Sequence, residues 1–200
     1  MQKDLFKDKS KTFNKESKRY LTAKKISDNI IEDIELNKNM EILDFGAGTG
    51  LLSLGISDHV KKITAIDISA SMLKEFKNSS KEFGCEVELI NKDLTNENLE
   101  IIYDGIISSM TLHHIKNIKD IFEKFYKLIK KDGFLSLADL ESENGTFHSD
   151  NEGVFHFGFK TDELVNIAKE VGFKNVTTKI SSTLQKDNNK YSIFLLSAKK

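Results

Sequence analysis

The chain has 200 residues, 38% of them hydrophobic and 30% charged, which suits one globular domain with a continuous core, and no apolar run approaches the roughly 18–20 residues of a membrane span. A single cysteine, Cys85, excludes an internal disulfide and Cys-rich metal frameworks, while a formal net charge of −1 argues against strong phosphate binding. The lysine-rich start has no apolar segment behind it, so no secretory signal is expected and a cytoplasmic location is.

Residues 1–25 carry Lys3, Lys7, Lys9, Lys11, Lys15, Lys18, Arg19, Lys24 and Lys25 against only Asp4, Asp8 and Glu16, which reads as a solvated helix face. Ile26, Ile30 and Ile34 then mark an N-terminal helix. From Met40 onward, short aliphatic runs alternate with helix-period segments, the pattern of a parallel sheet built from crossovers. Strands are expected over 41–45, 62–67, 86–90, 104–108, 134–139, 175–180 and 191–198. Ile118, Phe122, Phe125 and Ile129 place a helix within 115–129, stopped by Lys130, Lys131 and Gly133. Another helix starts at Thr161, read as its N-cap, and runs along Leu164, Ile167, Ala168 and Val171 to Gly172. Residues 181–190 are too few for a helical crossover, so the last two strands should form an antiparallel hairpin.

The segment most informative about function is Ile42-Leu43-Asp44-Phe45-Gly46-Ala47-Gly48-Thr49-Gly50, a buried strand that enters a glycine turn and then the apolar helix 51–56. Such a turn lets a ligand approach bare backbone beside the free N–H groups of the helix start. The spacing is G-x-G-x-G, and Leu51 stands where a dinucleotide fingerprint would have its third glycine. Asp44 would repel a pyrophosphate but attract an ammonium group. Asp67, ending the second strand, is placed to accept from both hydroxyls of a ribose, and Asp93, ending the third, to accept from an adenine amino group. Asp104 sits at the entering end of its strand and reads as structural.

In ordered motifs over residues 40–137 the sequence resembles the class I S-adenosylmethionine (SAM)-dependent methyltransferases, small-molecule type. The resemblance implies an α/β fold with a Rossmann-like, seven-stranded, mostly parallel sheet, an antiparallel C-terminal hairpin and helices on both faces. It divides a single domain, 1–200, into an N-terminal cap and helix (1–38), a SAM-binding core (39–140), an acceptor-side lid (141–160) and a C-terminal helix and hairpin (161–200). The implied SAM contacts, which would also hold the product S-adenosylhomocysteine, are Asp44, Gly46, Ala47, Gly48, Thr49, Gly50, Asp67, Ile68, Met72, Asp93, Leu94, Ser109 and Met110. Tyr20 joins them from a cap, with Phe13 and Leu21, that folds over the donor.

The methyl acceptor should sit beyond the fourth strand, near residues 108–114, and no Asn/Asp-Pro-Pro-Tyr/Phe motif of nucleic-acid or glutamine-amide methyltransferases stands there. The expected partner is a small molecule; nucleic acid and membrane are disfavoured, and oligomeric state is not legible. His113, His114 and His148 are the candidate bases for a hydroxyl or acidic-carbon acceptor, each open to a structural role instead. The insertion 141–160 adds Glu143, Phe147, Phe155, His156, Phe157 and Phe159, an aromatic wall at the same rim; no metal is expected there, since a third ligand beside its histidines is not placed. Three rival functions stay open: a nicotinamide-dependent oxidoreductase, opposed by the glycine spacing and Asp44; a SAM-binding module without turnover; and an RNA or protein methyltransferase using the basic N-terminus.

Overall fold

A computed structural model describes residues 17–186 and 188–200. Its seven strands are β1 (Glu41–Phe45), β2 (Lys62–Asp67), β3 (Glu86–Asn91), β4 (Tyr103–Ser109), β5 (Ile129–Leu140), β6 (Lys174–Lys186) and β7 (Asn189–Lys199). They form one sheet in the order β3-β2-β1-β4-β5-β7-β6. β1 to β5 pair in parallel, and β7 runs antiparallel to both β5 and β6. The α-helices are α1 (Ser17–Asp33), α2 (Leu51–Ile56), α3 (Ala70–Ser79), α4 (Ile118–Leu128) and α5 (Thr161–Val171).

Alternation along each strand sends side chains to two cores. Leu43, Phe45, Ile106, Leu135 and Leu137 pack with Phe122 and Phe125 of α4 and Leu164 and Ala168 of α5. Ile42, Ile63, Ile107, Phe134 and Ala138 pack with Ile26 and Ile30 of α1 and with Leu52 and Ile56 of α2. Because both faces of the sheet are covered, the middles of the central strands carry consecutive buried apolar residues, Ile42-Leu43 in β1 and Ile106-Ile107 in β4. The chain winds outward from β1 through β2 to β3, then returns to place β4 on the other side of β1. That reversal opens a crevice beyond the carboxyl ends of β1 and β4, where α/β sheets seat ligands.

Several boundaries differ from the sequence reading. α4 begins at Ile118, with the Asn117 side chain accepting from the Asp120 N–H at 3.4 Å. Thr161 is the first residue of α5 and not its N-cap; Lys160 holds that position, with no side-chain cap bond. β5 starts at Ile129, which pairs with Tyr103 before an irregularity, so the residues read as helix stop signals belong to a strand. The C-terminal hairpin is antiparallel as expected but longer, because Ser182, Thr183, Leu184 and Gln185 pair with β7 where a polar connection was foreseen.

Candidate active site

The turn after β1 is held open by its neighbour. Gly46 and Ala47 donate their N–H groups to the Ile66 carbonyl of β2 at 2.9 and 3.1 Å, and Gly50 N–H closes the turn on Ala47 O at 3.0 Å. Gly46 has φ +65°, and a Cβ there would fall 2.2 Å from Cγ2 of Thr111, so no other residue fits without displacing the turn after β4. At Gly48 an added Cβ would meet only open space, which marks the bare backbone facing the cleft.

The cleft has a volume of about 850 Å³ and runs along the carboxyl ends of β1 to β4. Asp44, Asp67 and Asp93 all line it, as do Gly46, Ala47, Gly48, Thr49, Ile68, Met72, Leu94, Ser109 and Met110. Two residues expected at the donor stand elsewhere. Gly50 lies behind the turn at φ +87°, where a Cβ would touch the Phe76 ring at 3.0 Å, so its glycine serves helix packing. Tyr20 is 44% exposed and outside the cleft lining, to which α1 instead contributes Arg19, Thr22 and Ala23. The helical phase of α1 decides this, because its buried stripe passes through Ala23, Ile26 and Ile30. Phe13 of the expected cap lies outside the described residues.

Each acid has a distinct environment. Asp44 is buried, accepts one hydrogen bond from Ser53 Oγ at 2.6 Å, and is pushed up to about 7 by burial, with the nearby Asp67 charge adding to the effect. Asp67 joins the two loops: Oδ2 accepts from Gly48 N–H and Oδ1 from Ser69 N–H, both at 2.8 Å. Asp93 directs both oxygens at its own loop, Oδ1 to the Thr95 N–H and hydroxyl and Oδ2 to the Asn96 amide. The same loop is tied to α4 by Lys124, whose ammonium donates to the carbonyls of Leu94, Thr95 and Glu97 at 2.7, 2.9 and 3.1 Å. Lys124 escaped the sequence reading because nothing local distinguishes it from a solvated helix lysine.

At the opposite end of the cleft three imidazoles meet. Ring centroids of His113 and His114 are 4.2 Å apart, and those of His113 and His148 are 4.8 Å apart. His113 Nδ1 lies 2.8 Å from Oδ1 of Asp139, and since a carboxylate only accepts, Nδ1–H is the donor. Both residues are fully buried, and Asp139 also accepts from the backbone N–H groups of His113 and Leu140. His114 donates from Nδ1 to Gly153 O at 2.7 Å. Burial first, then the neighbouring His113 and His114, push His148 down to about 4. Asp139 went unnoticed in the sequence because only the pairing of β4 with β5 brings it under the turn that carries His113.

Residues 141–160 are fastened to that turn. The N–H groups of Phe155 and His156 both donate to His113 O, at 2.9 and 3.2 Å, and His156 Nε2 donates to Ile115 O at 2.9 Å. Glu143 Oε2 accepts from the N–H groups of Thr146 and Phe147, shaping the bend that delivers His148. Among the described residues no group of three metal-ligating side chains has the geometry to hold a metal ion, and no helix is long and apolar enough to cross a membrane.

A glycine turn and strand-end acids at the switch point of a 3-2-1-4-5-7-6 sheet define a nucleoside-binding α/β domain of methyltransferase architecture. A family described as "Methyltransferase domain" matches residues 42–133. The chain is 33% identical over 171 residues to an uncharacterized methyltransferase of Schizosaccharomyces pombe, covering 76% of this chain and 60% of that protein. It is 27% identical over 161 residues to a malonyl-[acyl-carrier protein] O-methyltransferase of Acetivibrio thermocellus, covering 74% of this chain and 52% of the relative. The chain thus spans a little over half the length of these relatives. In fold it resembles the SAM-bound magnesium protoporphyrin IX methyltransferase of Synechocystis PCC 6803, with TM-score 0.68 and 18% identity over 100% of this chain and 86% of that one. Residues 42–133 thus match a methyltransferase domain, and the sheet around them has the fold of SAM-dependent methyltransferases.

Proposed function

We propose that this domain transfers the methyl group of SAM to a small organic acceptor. The observation that carries the reading is one continuous cleft with acids and bare backbone at one end and a cluster of imidazoles and aromatic rings, with His113 buried among them, at the other. The donor residues fit the group. Asp44 is a buried carboxylate with Ser53 as its hydrogen-bond partner among the described residues, suited to an ammonium, while Asp67 presents its carboxylate at the ribose position and Ile68 and Met72 offer apolar surface to adenine.

When bound, SAM supplies a methyl carbon activated by a positively charged sulfur. The chain's own task is alignment, since orientation of two reactants contributes up to about 7–11 kcal/mol to such a displacement. Gly46, Gly48 and Asp67 fix the donor loop, and the turn through Ser109, Met110 and Thr111, bonded to Gly46 O by the Thr111 hydroxyl, lines the cleft between its donor and acceptor ends. Phe147, Phe155 and Leu184 line the acceptor side and limit water there. A small acceptor is favoured by the fastening of residues 141–160 across the compartment, which leaves a cleft of small-ligand size.

Calorimetry with SAM and with S-adenosylhomocysteine is the first test, followed by methyl transfer from labelled SAM to an acceptor panel. Binding of neither compound would sink the proposal. Binding without transfer to any acceptor would favour a SAM-binding module instead.

A further inference from the structure

The acceptor compartment ends in two buried polar atoms for which the described residues provide no partner: Nε2 of His113 and Nε2 of His148. An orphaned polar atom in a buried place costs about 1–3 kcal/mol unless a ligand or water meets it. For His113 the unmet need has a definite sign. Its Nδ1–H is committed to Asp139, so in the neutral ring Nε2 carries a lone pair and asks for a donor.

We propose that the acceptor is a hydroxyl compound of phenol or enol type whose O–H points at His113 Nε2, which makes the domain an O-methyltransferase with His113 as base and Asp139 as its positioning residue. This rests on the function proposed above. In the step, the hydroxyl proton passes to Nε2 as the oxygen bonds to the methyl carbon, the carbon–sulfur bond breaks with its electron pair left on sulfur, and the imidazolium later yields its proton to water. Asp139 holds the ring in the required tautomer and faces the imidazolium charge as it forms. His148 stands beside the same oxygen and stays neutral above about pH 4, so it adds no positive charge to oppose that imidazolium.

Other acceptor chemistries fit less well. A carboxylate has no proton to offer, and its lone pairs would face that of Nε2. An ammonium would find no carboxylate free at the acceptor end of the cleft lining: Asp139 is shielded behind His113, Asp150 and Glu152 lie at the exposed rim, and Glu143, whose Oε1 is buried without a partner among the described residues, stands outside that lining, while the Lys186 ammonium already sits 5.8 Å from the Phe147 ring. His114 is a weaker choice of base because its Nδ1 is bound to Gly153 O and its ring is less buried than that of His113.

The test uses the full chain with S-adenosylhomocysteine for spectroscopy and labelled SAM for turnover. Nitrogen-15 NMR of the histidine rings should show His113 as the Nδ1–H tautomer, switching to Nε2–H in Asp139→Asn, whose amide nitrogen donates toward Nδ1. Catechol, 4-nitrophenol and a hydroxynaphthoquinone should accept methyl groups in preference to phenethylamine and phenylacetate. His113→Asn and Asp139→Asn should each lower kcat by about 100-fold or more while the calorimetric Kd for SAM stays within about threefold. The inference is overturned by an Nε2–H tautomer in the native chain, by transfer to the amine or carboxylate alone, by no transfer to any of the three hydroxyl compounds, or by an unchanged kcat in His113→Asn. Native protein that binds SAM yet methylates none of the hydroxyl compounds defeats this inference alone, whereas failure to bind SAM defeats the function on which it rests.

Discussion

The Ser53 hydroxyl donates to Oδ2 of Asp44 across 2.6 Å, and it joins the end of β1 to the first turn of α2 under the floor of the cleft. One neutral donor does not compensate a fully buried carboxylate, which is why Asp44 is pushed up to about 7. The folded chain therefore binds a proton between the unfolded value of 3.8 and about 7 that the unfolded chain does not. Stability without ligand should fall as pH rises through that window. Asp44→Asn keeps the Ser53 bond, removes the charge, and should raise the thermal midpoint of the ligand-free protein at pH 8 while abolishing SAM binding. In the native chain, SAM affinity should drop about tenfold from pH 8 to pH 6, following the ionised fraction of Asp44. Thermal melts and calorimetry across pH decide both.

Gly46 is the position where backbone and neighbour leave no latitude. With φ +65° and a Cβ site 2.2 Å from Thr111, Gly46→Ala should cost about 2–3 kcal/mol, combining left-handed strain with the clash. Thr111→Ala removes Cγ2 and Oγ1 but leaves Cβ at 2.8 Å from the same site, so the double variant should recover only part of the loss. Denaturant titration of the four proteins gives the coupling energy; full additivity would contradict the contact.

The strands and the acids at their ends were legible because they depend on local patterns: aliphatic runs that carry Asp44 and Asp67 to the rim of the sheet, and a glycine turn whose spacing needs no knowledge of the fold. Where partners are distant in sequence the signal vanished. Ile129 looked like the last helical residue and Lys130, Lys131 and Gly133 like a helix stop, and only the pairing of Ile129 with Tyr103 makes that stretch strand. The polar half of β6 lies on a sheet edge, where one side chain in two need not be apolar, so Ser182 to Gln185 resembled a loop. Asp139 and Lys124 act through contacts 26 and about 30 residues away and carry no local mark of it. Tyr20 lies off the buried stripe of Ala23, Ile26 and Ile30, a phase that shows only once α1 is packed on the sheet.

Lys124 closes the loop that carries Asp93 and Leu94, with three carbonyls converging on one ammonium. Lys124→Met keeps the aliphatic stem and leaves those carbonyls to water, so stability should fall by about 1–2 kcal/mol. The loop forms the adenine end of the proposed donor site, so SAM affinity should weaken several-fold while kcat at saturating SAM holds. An unchanged Kd would show that the loop does not touch the donor.

His148 makes a prediction of opposite sign to that of Asp44. Its ring is pushed from 6.5 down to about 4, so the folded chain binds fewer protons than the unfolded chain between those values. The stability it contributes is complete above the unfolded value and is lost as pH falls toward about 4. Asp44 gains stability over much of the same interval, so native melts alone will show a muted slope, and the two parts separate only in variants. In His148→Asn the loss on acidification should shrink, and in Asp44→Asn it should steepen. Glu143→Ala offers an independent check, because it unties the bend at Thr146 and Phe147 that buries His148. With water admitted, the His148 ring should titrate closer to its ordinary range. Carbon-bound ring proton shifts followed by NMR would report that rise, and a ring still titrating near 4 in Glu143→Ala would mean that the bend is held by other contacts, such as the Phe147 ring against Tyr191 at 5.1 Å.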